Sequence, residues 1–352
     1  TGRPVLIAFP MQLQRAFASA VLAVVIFLSV WWGYWYKKIY LDPWPDSSYL
    51  SSVFMRMSAS YAKPFKACQF VRDNKMRGKV FNYWTEGGFV AYGQIPDPNT
   101  GKTPLQLYMD GRAQAAYNTD AYQRWMYIMS GGDPVRDAER AGRELTAADY
   151  QKVGQWIDEQ LTKENVWSIF MPAAQFDSVL IKGIATNPNW RLVYTDDEQQ
   201  IYVDVKTQQG LNLYTGIFNG ITKFPDEFSK NLTTGYNMIR LQDVDVNIAF
   251  DMLSTALTQK PSNTAAIELI RATSRSDRLR EKLDKKFSDY FADYLKNKET
   301  YKKQNGYRDR LLTTIIIGNY LAGVNPKFEQ EYILYREQFN RELAYIGKTS
   351  RW

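Results

Sequence analysis

Asn82, Gly87, Gly88, Asp110 and Arg112 are the residues whose types and spacing offer chemistry. They lie in one stretch, GKVFNYWTEGGFVAYGQIPDPNTGKTPLQLYMDGRAQAAY, from Gly78 to Tyr117. Thr85-Glu86-Gly87-Gly88 could cradle a phosphate through backbone N–H groups, and so could Ser130-Gly131-Gly132-Asp133. Neither matches the dinucleotide-binding or P-loop patterns. Gly101-Lys102-Thr103 carries the last three residues of a P-loop, but Pro96 stands where the earlier glycine belongs and has no N–H to offer. Tight-turn geometry is the commoner use of such glycines and is the reading adopted for them. Asp110 and Arg112 could bind a ligand, although opposite charges this close more often form a local ion pair that fixes a turn. Glu86 and Asp110 could be a carboxylate pair for glycoside chemistry, but nothing in the sequence sets their separation.

The elements that must position these residues read as a βαβ unit. Lys79 to Phe81 form a short buried strand ending at Asn82. A polar-to-glycine turn follows, then a short helix over Phe89 to Gly93. A loop rich in Pro, Asn and Gly leads to a second strand, Leu105 to Met109, which stops at Asp110-Gly111-Arg112. Strand, glycine turn, crossover and strand belong to a parallel sheet. The carboxyl ends of such strands are where ligands bind.

The runs PFKACQFVRDN, GKVFNYWTEGGFVAYG and LYMDGRAQAAY also carry a resemblance. They resemble the extracytoplasmic domain that follows the last membrane helix in many large bacterial integral membrane proteins. Those proteins are themselves similar to GT-C type glycosyltransferases, which use lipid-linked sugars. Asn82, the Gly87-Gly88 pair and Asp110-Gly111-Arg112 are the matching features, and the likeness covers roughly residues 14 to 205. It implies a bacterial inner (cytoplasmic) membrane location with the bulk of the chain on the periplasmic side. The family's many upstream membrane helices, and the acidic catalytic loop between the first two, have no counterpart in this sequence.

Composition narrows the chemistry. The chain has 352 residues, enough for two domains, and its 45% hydrophobic content supports a sizeable core. It contains no histidine, which removes His-ligated metals and haems, Ser-His-Asp triads and imidazole acid–base catalysis. Its one cysteine, Cys68, excludes an intrachain disulfide and a four-cysteine zinc site. Cys68 sits in an amphipathic helix and reads as core. No cofactor is expected.

Ala16 to Tyr36, AFASAVLAVVIFLSVWWGYWY, carries no charge, and about 20 such residues span a bilayer as a helix. Trp31, Trp32, Tyr34, Trp35 and Tyr36 crowd one end as an interfacial aromatic belt does, and Lys37 and Lys38 close it. Residues 1–15 form an N-terminal segment and 37–60 a juxtamembrane connection. Residues 61–206 read as a small Rossmann-like α/β domain. Within it, Pro64 opens a helix to Asn74, and another helix covers Ala121 to Met129 before the turn at Ser130 to Pro134. Thr146 caps a helix with Asp149 three residues on. Val166 to Met171 is a strand and Phe176 to Ala185 a helix. Trp190 to Tyr194 and Ile201 to Val205 form an edge hairpin.

Residues 207–352 turn to helical periodicity. Ala249, Leu253 and Ala256, with Pro261 following, are similar to the second helix of a tetratricopeptide repeat, a repeat-like hairpin and not an array. Leu279, Leu283, Phe287, Phe291 and Tyr294 stripe a further helix. Leu311 to Leu321 and Phe328 to Ile346 form two more, ended by Gly323 and Gly347. Residues 271–310 hold 13 Lys and Arg against 7 Asp and Glu in a chain of net charge +7. A solvated face, or a patch meeting anionic lipid headgroups or an acidic partner, is the commoner source of such a bias than nucleic-acid binding, for which no motif is present. The sequence therefore leads to a membrane-anchored α/β domain followed by an α-helical domain. The expected role is a non-enzymatic scaffold or accessory subunit contacting membrane lipid and other membrane protein subunits, with no nucleic acid. The alternative is the C-terminal region of a GT-C-like glycosyltransferase.

Overall fold

A computed structural model describes residues 10–37, 64–94, 97–110, 119–304 and 306–349. The chain forms two compact units, Thr1–Lys63 and Pro64–Trp352.

The described part of the first unit is helix α1, Met11–Tyr36. At 1.5 Å per residue it is roughly 39 Å long, more than a bilayer core of about 30 Å. Among the described residues it is the one helix long and apolar enough to cross a membrane. Its Phe, Val, Leu, Ile and Trp side chains are all exposed, with Phe27 and Trp31 edge to face.

The second unit is built on a five-stranded mixed sheet of order β2-β1-β3-β5-β4. The strands are β1 (Gly78–Asn82), β2 (Leu105–Leu107), β3 (Val166–Pro172), β4 (Trp190–Thr195) and β5 (Gln199–Asp204). β1 is parallel to β2 and β3, while β5 is antiparallel to both β3 and β4. The βαβ unit and the edge hairpin expected from the sequence are both present. β3 is buried from Val166 to Met171, apolar but for Ser168, because both of its faces are covered. Ile169 and Met171 enter one core cluster, and Trp167 and Phe170 the other.

Helices α2 (Phe65–Asp73), α3 (Gly87–Gly93) and α8 (Gln208–Phe218) serve one face. Helices α4 (Thr119–Met129), α5 (Gly132–Arg140), α6 (Ala147–Lys163) and α7 (Val179–Thr186) serve the other. Thr146 closes a full capping box on α6: its hydroxyl accepts from the Asp149 N–H, and the Asp149 carboxylate accepts from the Thr146 N–H. Asp158 of α6 is a buried hub. It accepts from the Trp190 indole (3.0 Å), Asn189 (3.0 Å) and the Lys206 ammonium (2.8 Å).

Several boundaries differ from those expected from the sequence: α3 begins at Gly87 and not at Phe89, and β2 ends at Leu107 and not at Met109. The turn at Ser130–Pro134 contracts to Ser130-Gly131, and α5 begins at once. Gly131 and Gly132 both have positive φ, at 85° and 63°, and the Trp156 ring lies where a Gly132 side chain would go. The helix expected over Phe176 to Ala185 starts later, at Val179, where Ser178 caps α7 through the Ile181 N–H, and a 3₁₀ turn, Ala173–Gln175, precedes it.

The remaining helices are α9 (Glu227–Arg240), α10 (Val246–Gln259), α11 (Asn263–Thr273), α12 (Asp277–Tyr301), α13 (Tyr307–Val324) and α14 (Pro326–Thr349). They enclose a core of their own, to which the whole Leu279–Tyr294 stripe contributes. Gly323 and Gly347 fall inside α13 and α14, which run on to Val324 and Thr349.

α9 also closes the open edge of the sheet. The Thr195 N–H donates to the Thr233 hydroxyl (2.9 Å), and the Asn237 amide donates to the Leu192 carbonyl (2.8 Å). Both helix residues are buried, one turn apart on a single face. They supply the hydrogen bonds that a sixth strand would otherwise make.

Replacing Asn237 by Leu leaves the buried Leu192 carbonyl without that donor, at a cost of about 1–3 kcal/mol. Equilibrium denaturation of the full chain in mild detergent should show the loss.

Candidate functional site at the carboxyl edge of the sheet

Because β1 and β3 run parallel, Asn82 and Pro172 finish at the same edge. Pro172 pairs with Gln199, which brings the β4–β5 turn (Asp196, Asp197, Glu198) there too. The N-terminus of α3, with Glu86, Gly87 and Gly88, follows directly from β1.

Asn82 is completely buried and acts as an extra peptide unit. Its Nδ2 donates to the Met109 carbonyl (2.6 Å), and its Oδ1 accepts from the Tyr108 N–H (3.0 Å). The amide therefore continues the parallel ladder beyond Leu107, where backbone pairing of β2 ends. The Asn82 carbonyl in turn accepts from the Trp125 indole (3.0 Å). These bonds engage both ends of the side-chain amide.

The glycine pair separates into two different cases. A Cβ on Gly87 would lie 2.6 Å from both the Asp110 Cα and the Met109 carbonyl oxygen. Gly87 thus lets α3 touch the end of the β2 segment. Gly88 has open space around it and negative φ. Glu86 and Asp110 are both buried beside this contact. Arg112 lies outside the described residues, so the Asp110–Arg112 pairing belongs to the sequence reading alone.

Cys68 of α2 packs under α3. Its thiol donates to the Phe89 carbonyl (3.7 Å), and burial pushes it up to about 12, with Glu86 adding in the same direction. A thiol held so far from ionisation is a core residue and no nucleophile.

A charged seam that no sequence pattern announces lies beside this site. Asp196 accepts from the Tyr194 hydroxyl (2.8 Å) and from the N–H groups of Glu198 (3.0 Å) and Gln199 (2.7 Å). Lys260, in the α10–α11 link, lies 3.3 Å from Glu198. Lys66 of α2 pairs with Asp226 at 2.8 Å. Asp226 also caps α9 through the Ser229 N–H (2.8 Å). Burial opposes the charge on Lys66, but the hydrogen bond and charge of Asp226 more than offset it and raise its pKa. Burial raises Asp197, against the hydroxyls of Ser262 and Thr264. Positions 66, 196–198, 226 and 260 share no period or motif. Only the hairpin whose turn carries Asp196 to Glu198 was visible in the sequence.

Chemically, the edge stitches elements together. Asn82 completes a ladder, Gly87 permits a close approach, Asp196 accepts from the backbone of its own turn, and Glu198 meets Lys260. Among the described residues, no group of three or more Cys, Asp or Glu side chains is placed to hold a metal ion. Comparison with protein-family models, curated proteins and solved structures finds no match for the chain.

Gly87→Ala should lower the melting temperature of the full chain clearly, whereas Gly88→Ala should leave it nearly unchanged. Thermal unfolding of the two variants side by side checks the assignment.

A pH effect follows from Glu198. Burial, then the Asp196 carboxylate, lifts its carboxyl to about 7 against the pull of Lys260. Over the window between the ordinary carboxyl range and that value, the folded chain holds a proton that the unfolded chain has released. Stability therefore falls as pH rises through the window. The side chain is 41% exposed, so solvent damps the slope. Glu198→Gln should flatten it, as read by melting temperature against pH.

Proposed function

We propose that this chain is a membrane-anchored, non-enzymatic scaffold or accessory subunit that stabilises a larger membrane protein assembly. The observation that carries the reading is the contrast between the two units. The polar groups of Asn82 and Asp196 at the sheet edge are engaged in internal hydrogen bonds. α1 instead presents an uncharged, largely apolar surface from Ala16 to Tyr36.

In this reading α1 crosses the inner membrane, with Trp31 to Tyr36 at the interface next to the folded unit. Residues 64–352 then lie on the periplasmic side, as the likeness to GT-C-associated domains implies. The first half of α1, rich in Ala, Ser and Val from Ala16 to Val25, suits close packing against other membrane helices. The helical region supplies a second attachment, and two linked attachments gain avidity. Leu334 on α14, 73% exposed, and the neighbouring Ile333 are apolar positions available to it. Deleting residues from Gln208 onward is a poor probe of this attachment, because it would also strip α9 from β4.

Carbonate extraction should leave the full chain in the membrane fraction, and gentle solubilisation should co-purify it with other membrane proteins. An α1 replaced by an unrelated apolar span should still insert but lose partners, and Leu334→Asp should weaken the association further. Release by carbonate would remove the anchor. A chain that purifies alone would remove the scaffold reading in favour of a glycosyltransferase-related one.

A further inference from the structure

The helical region contains a groove of about 630 Å³ between α10, α12 and α13, separate from the sheet edge. Four cationic side chains line it, Lys282, Lys285, Lys286 and Arg310, against two carboxylates, Asp289 and Asp293. Asp293 is already engaged, accepting from the Tyr301 hydroxyl (2.5 Å) and the Asn297 amide (2.8 Å). Lys298 near the end of α12 and Lys302 just past it both pair with Glu342, at 2.9 and 3.3 Å. Within the groove, none of the four cations has a carboxylate at ion-pair distance among the described residues.

Lys286 is half-buried, and among the described residues its ammonium hydrogen-bonds only the Thr258 hydroxyl, at 3.1 Å. Burial without a counter-charge lowers its pKa, so an anion placed there would stabilise the charged form. One helical turn on, the Tyr290 hydroxyl is buried and has no hydrogen-bond partner among the described residues. A buried donor left without an acceptor is costly, and an incoming oxyanion would supply the acceptor. The Arg310 guanidinium is held 3.9 Å from the centre of the Tyr301 ring. Leu257 and Pro261 give the groove an apolar wall.

We propose that this groove binds a phosphate-bearing ligand. Lys286 and the Tyr290 hydroxyl contact the phosphate oxygens, Lys282, Lys285 and Arg310 surround them, and the carbon part of the ligand rests on Leu257 and Pro261. A mobile ammonium and a fixed guanidinium suit phosphate oxygens. The volume lies in the range of small-molecule sites. The same chemistry fits a soluble phosphoester and the headgroup of an anionic phospholipid.

The test uses the full chain in non-ionic detergent, titrated calorimetrically with inorganic pyrophosphate. The expected result is saturable binding at one site, weakened about tenfold or more by Lys286→Gln and by Arg310→Gln, each a lost charge-assisted contact. Tyr290→Phe should weaken it by a smaller factor. Melting temperature measured on each variant separates lost binding from lost folding, and Arg310→Gln decides if Lys286→Gln unfolds. The chain is then reconstituted in phosphatidylcholine bilayers with and without phosphatidylglycerol. Pyrophosphate binding suppressed only by phosphatidylglycerol identifies the lipid headgroup as the source. Binding indifferent to it identifies a soluble ligand. No saturable pyrophosphate binding, or binding that survives both charge substitutions, overturns the proposal, as does a groove that takes only an acidic peptide.

Discussion

The folded unit depends on how the free edge of its sheet is satisfied. β4 is the last strand, and its outward N–H and C=O groups would otherwise face solvent or another chain. Thr233 and Asn237 answer them from the side of a helix. The solution has a structural price: a helix of the C-terminal region must lie against the sheet. The α/β layers and the helical layers are therefore held together by hydrogen bonds as well as by apolar packing. Asn82 uses the same device at the other side of the sheet, where its amide continues a ladder that β2 is too short to complete. In both places an asparagine side chain substitutes for missing backbone.

Buried charge follows a similar rule. Glu268 is held by Arg240 at 2.9 Å and Arg271 at 3.0 Å, and Asp158 by Lys206 with two further donors. Arg275 donates to the carbonyls of Ile239, Leu241 and Gln242 where α9 ends. These bonds orient α9 at its C-terminal end, while Asp226 and Lys66 fix its start. A buried ion pair adds little net stability but makes alternatives costly, because breaking it strands a charge. Lys286 on α12 departs from the rule, half-buried beside a hydroxyl instead of a carboxylate.

Much of the architecture was legible because it rests on local signals. The strands around Val80 and Ile169 announced themselves as short apolar runs, and Thr146 with Asp149 as a capping box. The stripe from Leu279 to Tyr294 kept helical spacing and is wholly buried. Helix ends at glycine were less reliable. Gly323 and Gly347 lie within helices, because glycine permits a stop without enforcing one. The candidate site was legible only in part. Asn82 and Gly87 were found by type and place, but their roles depend on partners 22 to 27 residues away, Tyr108, Met109 and Asp110. Gly88 looked equivalent to Gly87 because sequence carries no record of which glycine faces a neighbour. The Lys66–Asp226 and Glu198–Lys260 pairs join segments far apart in the chain, and no periodicity encodes such a meeting.

The surroundings of Cys68 carry a consequence for following this protein in motion. Its sulfur lies where a side chain on Gly93 would collide, 2.6 Å from the projected Cβ. Almost none of it is thiolate near neutral pH, since burial holds the proton on. Alkylating reagents attack the thiolate, so they must wait until α2 lifts from α3. As the chain's single cysteine, it leaves no background signal from other thiols. The rate of its modification is therefore a built-in clock for local unfolding at this seam, readable without introducing any label site.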